Sequence, residues 1–205
     1  MPMPADETPP RGRTVPTPDP VDPVDPAAID EVLRFWFEET LPAQWWAVDP
    51  AFDQAIGARF GALLEAAGRG EAWAWRRSPR GRLAEVLVLD QFSRNVRRGT
   101  PGAWANDAAA LVLAQEAVAG GHDQALPPPQ RAFLYLPYMH SESRRVHQEA
   151  LRLYTALGLP ANLDAQRRHQ AIVERFGRYP HRNAVLGRAS TPEELAFLEQ
   201  PGSRF

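Results

Sequence analysis

The chain has 205 residues, 44% hydrophobic and 23% charged, a length that suits one domain with a self-sufficient core. Its 23 basic against 25 acidic residues leave a net charge of −2, which argues against a general polyanion binder. Every basic residue is Arg and Cys is absent, so thiol nucleophiles, disulfides, thiolate metal sites, Walker-type phosphate loops and Schiff-base lysines are all excluded.

Residues 1–26 read as a disordered leader, because recurrent Pro prevents a helix ladder and large apolar groups are scarce. No stretch has the apolar run of a signal peptide or a membrane span, which points to a soluble, cytoplasmic protein. Charge is uneven along the chain. Residues 1–53 hold 3 Arg against 11 acids, whereas residues 76–100 hold 7 Arg against 2 and residues 164–188 hold 6 against 2.

From residue 27 to 205 the pattern is that of a single all-α domain. A capping side chain followed by Pro recurs at Asp25-Pro26, Asp49-Pro50, Ser78-Pro79, Thr100-Pro101 and Thr191-Pro192. The capping oxygen satisfies N–H groups that have no helical partner, and Pro at the first position loses no bond. Glu194, three residues after Thr191, completes a capping box. Helices are expected near 26–38, 50–67, 79–98, 101–119, 129–140, 143–157, 163–176 and 192–199, with apolar residues every three to four positions. A short segment holding Trp73 falls between the second and third. Short connections predict antiparallel helix pairs. Trp36, Phe52 and Phe60 lie on apolar stripes and read as core; Trp45 and Trp46 sit in a loop, where one plugs a helix junction and the other could line a pocket.

The helix starting at Pro79 is apolar around its whole circumference at first, then turns charged at Asp90, Arg94 and Arg98, with Gln91 and Arg97 beside them. Buried charges need partners or a ligand. Asp90 and Arg94, four apart, suit an ion pair, which leaves Arg97 and Arg98 for an anion. An ion-pair network stapling helices together explains the same residues equally well. A second basic segment, Phe176 to Asn183, holds Arg178, His181, Arg182 and Asn183 in a turn bounded by Gly177 and Pro180. Planar Arg forks there suit a carboxylate or phosphate, against the plainer reading of a solvated surface. His169 on the preceding helix reads first as a core histidine. A third cluster runs from Tyr138 to Glu142: Ser141 suits a helix cap, and His140 with Glu142 suits a base and its orienter. No His pair has the spacing of a helical zinc site, and the two Arg patches do not form a nucleic-acid stripe.

Four ordered motifs carry a resemblance. They are Leu89 to Asn95 (LDQFSRN), Tyr135 to Glu142 (YLPYMHSE), Phe176 to Asn183 (FGRYPHRN), and Leu186 to Arg188 followed by Ser190 to Leu195. Together they resemble the bacterial "domain of unknown function 924" family from about residue 30 to the C-terminus. The resemblance implies an all-α fold of the tetratricopeptide-like kind, an array of antiparallel helix pairs, and no established reaction. The chain departs from the family pattern at Tyr179, where Phe is usual, and at Ser143, His147 and Ala171, where Asp, Gln and Asp are expected.

The residues together predict a protein that binds a small anionic molecule and hydrolyses or otherwise transforms it without Cys or Lys. The candidate catalytic groups are His140 or His181 as the acid/base and Asp90 or Glu142 as the orienting carboxylate. Gln91, Arg94, Asn95, Arg98, His169, Arg178, Arg182 and Asn183 are the candidate ligand-binding groups, with no metal and no cofactor. The competing expectation is a scaffold that clamps a peptide or protein partner in an Arg-lined groove, discriminated by whether the motifs enclose a pocket or line an open groove. Neither nucleic acid nor membrane is an expected partner.

Overall fold

Every regular element among residues 23–203, the part described by the computed structural model, is helical, and no strand occurs there. Helix α1 (Ala27–Arg34) runs into a π-helical turn, Phe35–Glu39. Helix α2 (Pro50–Gly68) leads to a 3-10 stretch (Glu71–Arg77) and then to α3 (Pro79–Leu87). A second π turn (Val88–Phe92) joins α3 to α4 (Ser93–Val96), so 79–96 is one continuous helix with a widened turn in it. Then follow α5 (Asp107–Ala119), α6 (Pro128–Leu134), α7 (Leu136–His140), α8 (Arg144–Leu157), α9 (Pro160–Phe176) and α10 (Pro192–Leu198). None of these helices is long and apolar enough to cross a membrane.

Side-chain caps stand at the starts of α2, α3, α8 and α10. Asp49 accepts from the N–H groups of Ala51 (2.9 Å) and Phe52 (3.3 Å), Ser78 accepts from Gly81 (3.0 Å), and Thr191 and Glu194 form the full capping box. Thr100 departs from the expectation. Its hydroxyl donates to the Arg97 carbonyl (2.8 Å), Pro101 opens only a 3-10 turn to Trp104, and α5 begins at Asp107. The cap of α8 is Ser143, which accepts from Val146 N–H (3.4 Å), while the Ser141 hydroxyl accepts from Ser143 N–H (3.2 Å). The helix expected over 129–140 breaks at Tyr135, because Pro137 has no N–H to continue the ladder. Val24, inside the stretch read as leader, accepts from the Trp75 indole N–H (2.7 Å) and packs on the core; residues 1–22 of that stretch lie outside the described part.

The 79–96 helix is the centre of the packing. Leu83, Val86, Leu87, Val88, Leu89 and Phe92 are all buried, in agreement with an apolar circumference. Around it stand the aromatic rings read as core: Phe60 lies 4.9 Å from Phe92 between centroids, and Trp36 lies 5.6 Å from Phe92 and 5.7 Å from Phe133. Trp45 plugs the junction and donates its indole N–H to the Trp36 carbonyl (2.9 Å), whereas Trp46 is 62% exposed against Phe133. A smaller cluster of Ile172, Val173 and Tyr179, backed by Phe176 and Phe197, anchors the C-terminal elements. Gly177, at φ +71°, closes α9 in a conformation that lets the chain turn sharply into Tyr179.

Helix α3 touches the 71–77 stretch so closely that a Cβ on Gly81 would stand 2.1 Å from the Trp75 carbonyl oxygen. Gly81→Ala is therefore expected to lower stability by about 1–3 kcal/mol, the usual cost of overpacking. Urea denaturation measures it: an unchanged midpoint would contradict the close approach.

Candidate functional site

Asp90 and Gln91 sit in the π turn Val88–Phe92, a kind of distortion that recurs at functional sites. Both side chains are buried, Asp90 with 1% of its surface exposed. Asp90 Oδ1 lies 3.0 Å from Arg94 Nη1 and 2.8 Å from His140 Nδ1, and Oδ2 accepts from Gln91 Nε2 (2.6 Å). Burial alone would raise the Asp90 pKa, but the charge of Arg94 and the hydrogen bond with His140 outweigh it and hold the carboxyl well below the usual range. An ionised Asp90 accepts, so the proton of neutral His140 stays on Nδ1 and its Nε2 is left as a base. Burial and the neighbouring Arg94 push the His140 pKa down, against the pull of Asp90, which keeps the ring neutral at pH 7.

Asp107, in the first turn of α5, extends this arrangement. It meets Arg94 at 2.9 Å and accepts from Arg182 Nη1 at 3.2 Å, so one carboxylate bridges two guanidinium groups. Arg182 also donates to the His140 carbonyl (3.0 Å) and lies between two rings, its Cζ 4.7 Å from the Tyr179 centroid and 5.5 Å from that of Trp104. Its pKa is lowered by burial, with Asp107 opposing.

The segment from Tyr179 to Arg188 clamps the end of α7. Tyr179 donates its hydroxyl to the Met139 carbonyl (2.5 Å) and its N–H to Glu142 Oε1 (2.8 Å). Arg188 binds Glu142 with two N–H groups (2.6 and 2.9 Å) and reaches the Tyr179 carbonyl (3.2 Å). Burial would raise the Glu142 pKa, but Arg188 and the Tyr179 N–H lower it overall. His147 is buried and satisfied on both ring nitrogens, by the Ser141 carbonyl (2.8 Å) and by Gln166 (3.1 Å).

These parts meet at a cleft of about 380 Å³. His140, Ser141, Glu142, Asp107 and Arg182 supply its polar wall, and Trp104, Ala105, Ala108, Leu111, Pro137 and Leu186 supply apolar surface. Pro101 lies at its edge and, like Ala105 and Ala108, is exposed. A second cavity, about 240 Å³, holds Asp123, Arg131, Tyr135 and Arg152, but the Asp123 carboxylate is already taken by the Tyr135 hydroxyl (2.5 Å) and Gln124 (2.7 Å). Among the described residues no group of three or more His, Asp or Glu side chains is arranged to hold a metal ion.

Residues 32–202 match the family described as bacterial protein of unknown function (DUF924). The chain belongs to this family. A solved structure of a protein of unknown function from Agrobacterium tumefaciens is similar to this DUF924 chain at 42% identity and a TM-score of 0.81, covering 84% of this chain and 97% of that one. No curated protein matches.

In this DUF924 member three of the residues singled out in the sequence line the cleft: His140, Glu142 and Arg182. Asp90, Gln91 and Arg94 stand behind them, and it is Asp90, not Glu142, that orients His140. Others are drawn elsewhere. Arg98 lies past the last residue of α4, beside Gly99 at φ +75°, and pairs with Asp53 (2.6 and 2.9 Å) together with Asn95 (2.8 Å). Arg97 pairs with Glu65 (2.5 Å), so neither Arg expected to remain available for an anion does so. Arg178 grips Glu194 (2.6 and 2.7 Å), whose pKa Arg178 pulls down to about 2, and Asn183 supports Glu194 and Arg188. His169 donates to the Ala165 carbonyl (2.8 Å), and His181 packs 5.6 Å from the Tyr179 ring. Asp107 and Trp104 were not legible as site residues: an acid after Asn106 reads as ordinary first-turn helix chemistry, and a Trp reads as core.

Burial holds His169 at a pKa of about 3 and His181 at about 4, below their unfolded values near 6.5. The unfolded chain therefore takes up these protons first, and folded stability falls as pH drops from about 6.5 towards those values. Each such His contributes up to about 1.4 kcal/mol per pH unit once fully engaged. Denaturation at pH 6.5 and pH 5 should show this loss, and His181→Asn should reduce it; a flat profile would refute neutral burial.

Proposed function

We propose that this cleft binds a small anionic molecule, a carboxylate or phosphate, at Arg182, and that His140 exchanges a proton with it. The observation that carries the reading is the Asp90–His140 contact at 2.8 Å in the wall of a cleft that also presents Arg182. Asp90 fixes the tautomer, so His140 Nε2 is the basic atom available for chemistry, the logic of an oriented general base. In hydrolysis, the imidazolium formed as the anion binds donates its Nε2 proton to the leaving group while water attacks the carbonyl carbon or phosphorus, and the neutral ring then takes up the proton that the water gives off. Neither Cys nor Lys is required.

Charge balance supports a coupling between anion and proton. Without ligand, Asp90 and Asp107 offset Arg94 and Arg182, and Glu142 offsets Arg188. An anion adds a negative charge in a poorly solvated place, where an unpaired charge is expensive. Neutral His140 relieves it by taking a proton, so affinity should rise as pH falls from 8 to 6.

A second reading is a tetratricopeptide-like scaffold that holds the C-terminal carboxylate of a peptide against the same Arg182. It is favoured by the two-residue connection between α8 and α9, which makes a helical hairpin, and by the exposed edge of the cleft at Ala105 and Ala108. In that case free small acids should not bind.

An NMR titration with acetate, which does not itself titrate between pH 6 and 8, separates these outcomes. The His140 ring resonances should move towards the imidazolium position as acetate saturates. Arg182→Gln should weaken binding about 10-fold or more, the worth of one hydrogen bond to a charged group. Arg168→Gln, whose native partner is Asp164 on the exposed face of α9, should leave affinity unchanged. Equal affinity of Arg182→Gln and the unaltered protein would overturn the proposal.

A further inference from the structure

Two walls of the cleft repeat one chemical order. On α5, Asp107 stands in the first turn, and Ala108 and Leu111 follow on the same face, Leu111 four residues on. Across from it, the Leu186 N–H donates to the Arg182 carbonyl (2.9 Å), a helical turn that places Leu186 one turn beyond Arg182. Each wall therefore begins with a charged group and continues, about 6 Å along, with a leucine. The charged ends meet, since Arg182 donates to Asp107 at 3.2 Å. Leu186 is 36% exposed and Ala108 is exposed, while Leu111 is half-buried, so these apolar groups have room for a further apolar partner.

We infer that the ligand of this cleft is an amphipathic monocarboxylic acid, its carboxylate at Arg182 and its apolar chain lying between Leu111 and Leu186. The inference rests on the anion reading above and narrows it. A bare anion would leave the leucine surfaces wetted and would gain nothing from them. A neutral apolar molecule would bury the leucines but leave the guanidinium without an added acceptor. An acid with a chain of about 6 Å satisfies both ends, and burial of each methylene adds to its affinity. Trp104 lines the same cleft with its ring centroid 5.5 Å from Arg182 Cζ, and suits the carbons next to the carboxylate.

The test compares acetate, hexanoate and hexanamide on the full chain by NMR titration at pH 7. Full burial of a methylene is worth about fourfold in affinity, and an open cleft should return about twofold, so hexanoate should bind about tenfold or more tighter than acetate. Hexanamide, with the same chain and no charge, should bind far more weakly than hexanoate. Leu186→Ser, a change at an exposed turn, should remove the advantage of hexanoate and leave acetate as before. Equal affinity for acetate and hexanoate would overturn this inference while leaving the anion reading intact. Equal affinity for hexanoate and hexanamide would overturn the anion reading itself, and so would a failure of all three to bind.

Discussion

The structure depends on keeping one carboxylate charged in the interior. Asp90 lies in the middle of the most buried helix, where an ionised carboxylate without partners would cost several kcal/mol. Its three partners come from two places in the chain: Gln91 and Arg94 on its own helix, and His140 from α7. Because His140 must reach Asp90 at hydrogen-bond distance, the end of α7 has a fixed position against the 79–96 helix. The same need then passes outward. Arg94 requires a second acid and finds Asp107, and Asp107 in turn faces Arg182. The outcome is a line of alternating charges, Asp90, Arg94, Asp107 and Arg182, that runs from the core to the wall of the cleft. Breaking such a line at any point strands the next charge, which is why its members act together.

A second set of contacts, which includes Glu142 of the polar wall, holds the far side of the cleft. The 179–188 segment is tied to α7 through the Met139 carbonyl and Glu142, and to α10 through Arg178, Asn183 and Glu194. Most of these bonds are charge-assisted, and they support one another, the conditions under which polar networks specify one geometry. They deliver Arg182 to its place between Tyr179 and Trp104. Arg178, two residues from that turn, is consumed in the anchoring. Two arginines four positions apart in one motif thus have separate duties, one holding the loop and one facing the cleft.

The aromatic cluster around Phe92 and Trp36 gives this polar assembly something rigid to stand on. Rings at 4.9 to 5.7 Å leave little freedom to the first half of the domain, and the 79–96 helix carries that rigidity to Asp90. The cleft forms where the start of α5, the end of α7 and the turn from Arg182 to Leu186 come together. Ligand sites commonly occupy such junctions between helices, since two packed units rarely fill the space between them.

Much of this was legible in the sequence. The caps at Asp49, Ser78 and Thr191, the apolar circumference of the 79–96 helix and the Asp90–Arg94 spacing are local features, set by side chains within a few residues of one another, and they determine an all-helical chain with a charge buried in it. Local chemistry also marked His140 and Arg182. What it could not decide was partnership across the chain. Arg97 and Arg98 looked available because Glu65 and Asp53 lie more than thirty residues earlier in the sequence, and Arg178 looked like Arg182 because nothing nearby tells which of them Glu194 will take. The pairing of Asp107 with Arg182, 75 positions apart, and of Asp90 with His140, 50 apart, exists only once the helices are packed. Helix propensity and capping act over one or two turns, whereas a Coulomb partner is chosen by distance in space, so the tertiary structure alone decided which charges face the cleft.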